Sequence, residues 1–235
     1  MLETLREKDV IAPSKKEMLW GILCWVMFEL GFPLILTLIF DTETAKGAYW
    51  FQIAYFICTF LLTGGLFFKY LGRSSKPLRG NAKNVFFAVV QGFAMYFVLT
   101  LLFEGAVTQI LYHTDTRMFN PNQEMIEGIL EYSMIPVAIC SVLLVPVTEE
   151  LLVRGMVFAP LCRKWPWLAY LVSTLLFAGM HTLSFAMDMT FLQGLTSFLL
   201  YIPAGLVMGW IFQKTQSILG PIFLHMVLNF IAIFG

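Results

Sequence analysis

Seven runs of some twenty residues, almost free of charge, constrain this chain more than any other feature. They lie at 18–40, 47–69, 85–111, 129–147, 168–187, 191–213 and 218–234. A hydrocarbon core about 30 Å thick takes about 20 apolar residues in helix to cross. The runs are continuous and lack the period-two alternation of barrel strands, so their backbone must satisfy itself as helix. Composition agrees. The chain is 59% hydrophobic and 13% charged, against about 25% charged for a soluble domain, and its mean hydropathy is +0.78. The sequence therefore predicts an all-α integral membrane protein, a bundle of about seven transmembrane helices. Its first partner is the lipid bilayer, with multi-pass insertion expected in the cell membrane.

Formal net charge is zero, which gives nucleic acid nothing to bind. Cys24, Cys58, Cys140 and Cys162 sit in or beside apolar runs without a CxxC pair, and read as small buried hydrophobes. About 17 polar residues precede the first run, and no small-residue cleavage site follows it, so the run reads as a retained span. Lys and Arg set orientation. With the N-terminus cytoplasmic, the inner loops hold twelve of them and the outer loops only Lys46 and Arg117. The stretch Lys69–Asn84 is a basic inner loop expected to meet anionic head groups.

Against this background the stretch TEELLVRGMVF, 148–158, stands out. The charge asymmetry puts its start at the cytoplasmic end of the fourth span. On a helix Glu150 and Arg154 are four apart with Glu first, the favourable order for a pair. Glu149 lies about 100° around the axis. Arg154 can neutralise Glu150 and leave Glu149 to face elsewhere. An interfacial charge cluster is the plain alternative. Two of the three histidines also fall inside spans: His181 in the fifth and His225 in the seventh, with Asn229 four residues on and on the same face. His113, in an outer loop, reads as solvated. A lone histidine within a span usually bonds a neighbouring helix. Two of them, with an Asn and an unpaired Glu, suggest more.

If the bundle brings these residues together, two chemistries are open. A desolvated Glu beside a histidine can take a proton from water, while a second His and an Asn amide stabilise the oxyanion formed on a peptide carbonyl. Alternatively, Glu and two His are ligand types for a catalytic zinc with an open position. No HExxH occurs.

EELLVR at 149–154, FAGMH at 177–181 and HMVLN at 225–229 follow the patterns EExxxR, FxxxH and HxxxN, in that order on successive apolar segments. In this the chain resembles the CAAX protease and bacteriocin-processing family. Its relatives include type II CAAX prenyl endopeptidases and the "abortive infection" membrane proteins. The resemblance implies an intramembrane endopeptidase acting on membrane-associated or lipidated peptides. It makes Glu149 the base that activates water, with Glu150 and Arg154 in support. His181 would hold the water, with Phe177 packed to fix it. His225 and Asn229 would form the oxyanion pair. A metal-free site is favoured because Asn is a poor zinc ligand; zinc on Glu149, His181 and His225 is the alternative. The resemblance divides the chain into scaffold spans, 1–130, and a catalytic core, 131–235, whose site is expected to open toward the cytoplasmic half of the bilayer. The rival reading is a transporter or scaffold with a proton-linked Glu/His cluster, although the internal symmetry of many transporters is absent. Glu29, four residues before Pro33, reads as a carboxylate bonding a neighbouring helix at a kink. Gly205 and Gly209 in the sixth span permit close helix approach.

Overall fold

The computed structural model describes residues 10–111 and 120–235. His113 and Arg117 lie outside these. All regular structure among the described residues is helical: α1 Lys15–Thr37, α2 Ala45–Leu66, α3 Phe68–Ser74, α4 Lys76–Leu111, α5 Pro121–Tyr132, α6 Met134–Cys162, α7 Pro166–Thr182, α8 Phe191–Thr215 and α9 Leu219–Phe234. A tighter 3-10 coil, Leu183–Asp188, extends α7. Six stretches are long and apolar enough to cross a membrane; α9, with 16 residues, is apolar but shorter. The protein is thus an all-α, multi-pass membrane bundle. The basic stretch 69–84, expected as a loop, is instead largely helical, formed by α3 and the start of α4.

The fourth span departs most from expectation. Residues 129–132 close the separate helix α5, and the chain breaks at an extended Ser133. The helix that follows does not stop at 147. It runs on through Glu149, Glu150 and Arg154 to Cys162, because those charges face protein rather than lipid: their exposures are 7%, 0% and 0%. Glu149 is therefore not at the end of a span. It lies about 20 Å from either end of α6.

Three prolines shape the helices that matter. Wide five-residue turns occur at Met27–Gly31, Cys140–Leu144 and Leu151–Phe158, and each ends two residues before a proline: Pro33, Pro146 and Pro160. Inside a helix, proline lacks an N–H and clashes with the carbonyl four residues back. Widening the turn relieves the clash. It also orphans the carbonyl five residues back. Phe32 and Val145 close the wide turns onto Met27 and Cys140. The next bonds in the series would come from Pro33 and Pro146, which have no hydrogen to give. The carbonyls left over are Phe28 and Ser141. Each is taken by a side chain from another helix: Tyr55 Oη donates to Phe28 at 3.1 Å and Asn229 Nδ2 to Ser141 at 2.8 Å.

Helices α6 and α8 are central, each with 56% of its apolar window buried, against 17% for α1 and α4. The outward residues of the peripheral helices, such as Leu34, Leu38, Phe97 and Leu102, are exposed, as a lipid-facing surface requires. Gly205 and Gly209 let α8 lie close against its neighbours. A Cβ at Gly205 would stand 2.8 Å from Thr174 Cγ2 of α7, and one at Gly209 would stand 2.9 Å from the Phe158 ring of α6.

One end of the bundle is sealed. Arg73 of α3 grips Glu17 of α1 at 2.6 and 3.2 Å, and Arg163 donates twice to the Val10 carbonyl. Ser74 Oγ accepts from the Ile218 N–H in the α8–α9 link. Ser217 and Ile218 in that link are wholly buried. So α9 starts inside the protein, not at its surface, and every residue along it sits deeper than its count from the start implies.

Candidate active site

Three helices place the polar cluster. Glu149, Glu150 and Arg154 come from the middle of α6, His181 from the last turn of α7, and His225 and Asn229 from α9. By distance along their own helices, His181 and His225 stand about 23 Å and about 9 Å from their starts. The recessed start of α9 removes the mismatch. Glu149 Oε2 lies 3.5 Å from His181 Nε2 and 3.8 Å from His225 Nε2.

Arg154 is the buried anchor. Its Nη1 donates to Glu150 Oε1 at 3.2 Å and its Nη2 to the Gly205 carbonyl at 3.1 Å, while its guanidinium lies 4.6 Å from the centre of the Phe177 ring. The glycine brings α8 near enough for that carbonyl to be reached. Glu150 Oε1 also meets His225 Nδ1 at 3.1 Å. Glu149, by contrast, has no hydrogen bond at Oε2. The pairing expected from i, i+4 spacing holds, with one carboxylate bound and the other turned toward the histidines.

The tautomers follow from the partners. His181 Nδ1 is 2.8 Å from the Phe177 carbonyl, which can only accept, so Nδ1 carries the hydrogen. His225 Nδ1 faces the Glu150 carboxylate and donates to it. The Nε2 atom of His181 then presents a lone pair toward Glu149 Oε2. Two acceptors face each other with no hydrogen between them. Such a set calls for a species that brings hydrogens or positive charge, and water brings two hydrogens.

Phe177 holds both rings, with centroids 4.6 Å from His181 and 5.6 Å from His225. Tyr201 of α8 stacks on His181 from another side at 4.4 Å and 29°, and its hydroxyl donates to Asn120 Oδ1 at 2.8 Å. Sequence reasoning missed Tyr201 and Ser141. A hydroxyl-bearing residue inside an apolar run was the only signal for either.

Glu149, His181, His225 and Asn229 line one cavity of about 490 Å³. From Glu149 it runs toward Asn120, Asn122 and Gln123, at the end opposite the seal. The four basic segments that the charge pattern groups on one side do meet at one end, but that end is closed. Among the described residues, α3, residues 10–17 and the α8–α9 link cover the basic end, and the cavity's lining residues extend toward the other.

Glu149, His181 and His225 are ligand types suited to zinc. Yet among the described residues no three His, Cys, Asp or Glu side chains have donor atoms placed to hold a metal ion.

Residues 131–231 match the family model described as type II CAAX prenyl endopeptidase Rce1-like. No curated protein and no solved structure matches the chain. The matched segment contains the whole of α6, α7 and α8 and nearly all of α9, hence every residue of the Glu/His/Asn cluster. Through residues 131–231, rather less than half of its length, the chain is thus similar to the type II CAAX prenyl endopeptidase, Rce1-like, family, a family of peptidases.

Proposed function

We propose that the protein is an intramembrane endopeptidase that hydrolyses peptide bonds of membrane-associated or lipidated peptides by glutamate-activated water. The observation that carries this reading is the unpartnered Glu149 Oε2, facing two histidine Nε2 atoms in the wall of a cavity. A spacing of 3.5–3.8 Å is too long for direct hydrogen bonds. A water set beside the line from Glu149 to His181 can donate one hydrogen to each.

In the reaction, Glu149 takes one proton of that water as its oxygen attacks the scissile carbonyl. His181, fixed through Nδ1 to the Phe177 carbonyl, keeps the other hydrogen and so aims the lone pair. The oxyanion needs donors. Asn229 spends one amide hydrogen on Ser141 and retains the second. His225 can serve only with a proton on Nε2. With a hydrogen on Nε2 as well as the one on Nδ1 shared with Glu150, His225 supplies that donor. Collapse of the intermediate returns the proton from Glu149 to the leaving amine. One water and one amide become one carboxylic acid and one amine.

The test compares peptide termini in membranes and medium of cells carrying the native protein or Glu149→Gln at matched abundance. Defined termini should vanish in the variant, as expected for loss of a general base worth about 10²–10⁴-fold. If no terminus changes although the native protein has a phenotype, a transporter or scaffold role replaces this reading. A second arm measures the metal content of active purified protein. Activity that is lost on stripping zinc and restored by zinc would make Glu149, His181 and His225 ligands instead.

A further inference from the structure

Glu29 takes no part in the chemistry above. It lies in the wide turn before Pro33, whose geometry is held by the Tyr55 bond to Phe28, and it lines the same cavity as Glu149. It does not bond a neighbouring helix, as its position at a kink suggested. Among the described residues its carboxylate forms no hydrogen bond or ion pair. A second carboxylate, Glu104, lines the cavity from α4. With Tyr96 and Thr100 it forms a strip at four-residue spacing, one face of that helix. No Lys or Arg among the described residues lines the cavity.

Two enclosed polar atoms mark this space as one meant for a ligand. Ser141, 5% exposed, lines the cavity and its Oγ has no partner. Glu149, 7% exposed, has an unpartnered Oε2 in the same wall. A carboxylate within a spanning helix is costly and usually marks a substrate or ion path. Glu29 and Glu104 are both exposed on the bundle's own surface and edge the cavity, so it is the surrounding bilayer that lowers the effective dielectric and strengthens a carboxylate's attraction for a cation. Its repulsion of an anion grows in the same way.

We propose that this cavity selects peptides carrying a cationic group beside the scissile bond, with Glu29 as the main counter-ion and Glu104 as the second. The group is a Lys or Arg side chain or an N-terminal ammonium. A substrate segment ending in a free carboxylate at that position is disfavoured. The inference deepens the endopeptidase reading and rests on it. It concerns residues of α1 and α4, outside the segment that carries the family match.

The test uses the full chain in lipid nanodiscs and a set of apolar peptides that differ at one position: Met, Lys or Glu, each with a free or acetylated N-terminus. Binding is read by fluorescence anisotropy on Glu149→Gln protein, and kcat/KM on the wild type. The Lys peptide should bind about tenfold tighter than the Met peptide, which corresponds to about 1.4 kcal/mol. Glu29→Gln should bring that ratio close to one, and Glu29→Lys should turn it in favour of the Glu peptide. Glu104→Gln should lower it by less. If the Lys peptide outbinds the Met peptide with either terminus, the group is the side chain; if instead acetylation weakens both peptides alike and Glu29→Gln removes that effect, it is the N-terminal ammonium. A Lys/Met ratio near one together with no effect of acetylation, or effects that Glu29→Gln leaves unchanged, overturns the proposal. Failure of the endopeptidase reading looks different: the wild type cleaves no peptide, while Glu29-dependent selection persists in binding.

Discussion

The two ends of the bundle follow opposite rules. At the sealed end charges are paired across elements: Arg73 with Glu17, and Arg163 with the Val10 carbonyl. At the other end Glu29 and Glu104 line the cavity that holds Glu149, without an ion pair among the described residues. Basic residues cluster where the protein is closed, and acidic ones where it is open. The difference teaches that a positive-inside count reports how a chain is inserted, and says nothing about where its substrate enters. If the basic end is cytoplasmic, as the charge count predicts, the cavity faces the outer half of the bilayer.

Labelling breaks or keeps that contrast outright. Single cysteines placed at Lys16 and Asn122 lie at the two ends. An impermeant maleimide applied to intact cells should label Asn122→Cys and spare Lys16→Cys until the membrane is permeabilised, with wild type as the background. Labelling of both from one side would contradict the arrangement of ends; reversal would put the cavity on the cytoplasmic side.

Between the ends lies the buried cluster, where removal of one partner has the largest energetic effect. Arg154→Ala leaves Glu150 charged, with no exposure and no guanidinium. Breaking such a buried pair costs about 3–5 kcal/mol. Loss of membrane abundance and of thermal stability should follow. Glu149→Gln, at an oxygen with no partner, should keep both. Equal losses in the two variants would erase the distinction between bound and available carboxylate. A smaller effect is expected at Gly205. Its added Cβ meets the Thr174 backbone at 3.0 Å as well as its methyl, and overpacking of this kind costs about 1–3 kcal/mol. Because the Gly205 carbonyl also holds Arg154, Gly205→Ala should lower melting temperature and turnover together. Gly128→Ala, where a Cβ meets nothing, should do neither.

Much of this was legible in sequence, for a physical reason. Helices crossing lipid must be long and apolar, so seven runs could be read directly. The i, i+4 rule is local, so the Glu150–Arg154 pair could be read as well. The limits of the fourth span could not. Hydropathy treats Glu149, Glu150 and Arg154 as exposed charges that end a helix, whereas tertiary pairing makes them interior residues. Depth was misjudged along α9 because a buried link, Ser217–Ile218, is invisible to a count from the helix start. Glu29 was read as a structural carboxylate because nothing local reveals that its turn faces the cavity that holds Glu149. Tyr201 and Ser141 act across helices, through a ring stack and a carbonyl, and neither leaves a periodic trace.

The last contrast lies between two prolines at the same offset from a wide turn. Pro146 leaves the Ser141 carbonyl without a backbone donor, and Asn229 takes it. In Pro146→Ala the new N–H competes for that carbonyl, and the Asn229 amide loses the fixed position that the proposed oxyanion role requires. Helix propensity runs the other way, since proline is disfavoured by about 3 kcal/mol in a helix interior. Turnover should therefore fall, by about tenfold for about 1.4 kcal/mol of misplaced transition-state contact, while melting temperature stays level or rises. Adding Asn229→Ala to Pro146→Ala should cost little more than Asn229→Ala alone. Pro33→Ala restores a donor to Phe28, whose carbonyl serves Tyr55 rather than Asn229, and should spare kcat on a neutral peptide relative to Pro146→Ala. If both proline variants slow the neutral peptide alike, straightening of the helices is the cause, and Pro146 is not what aims Asn229.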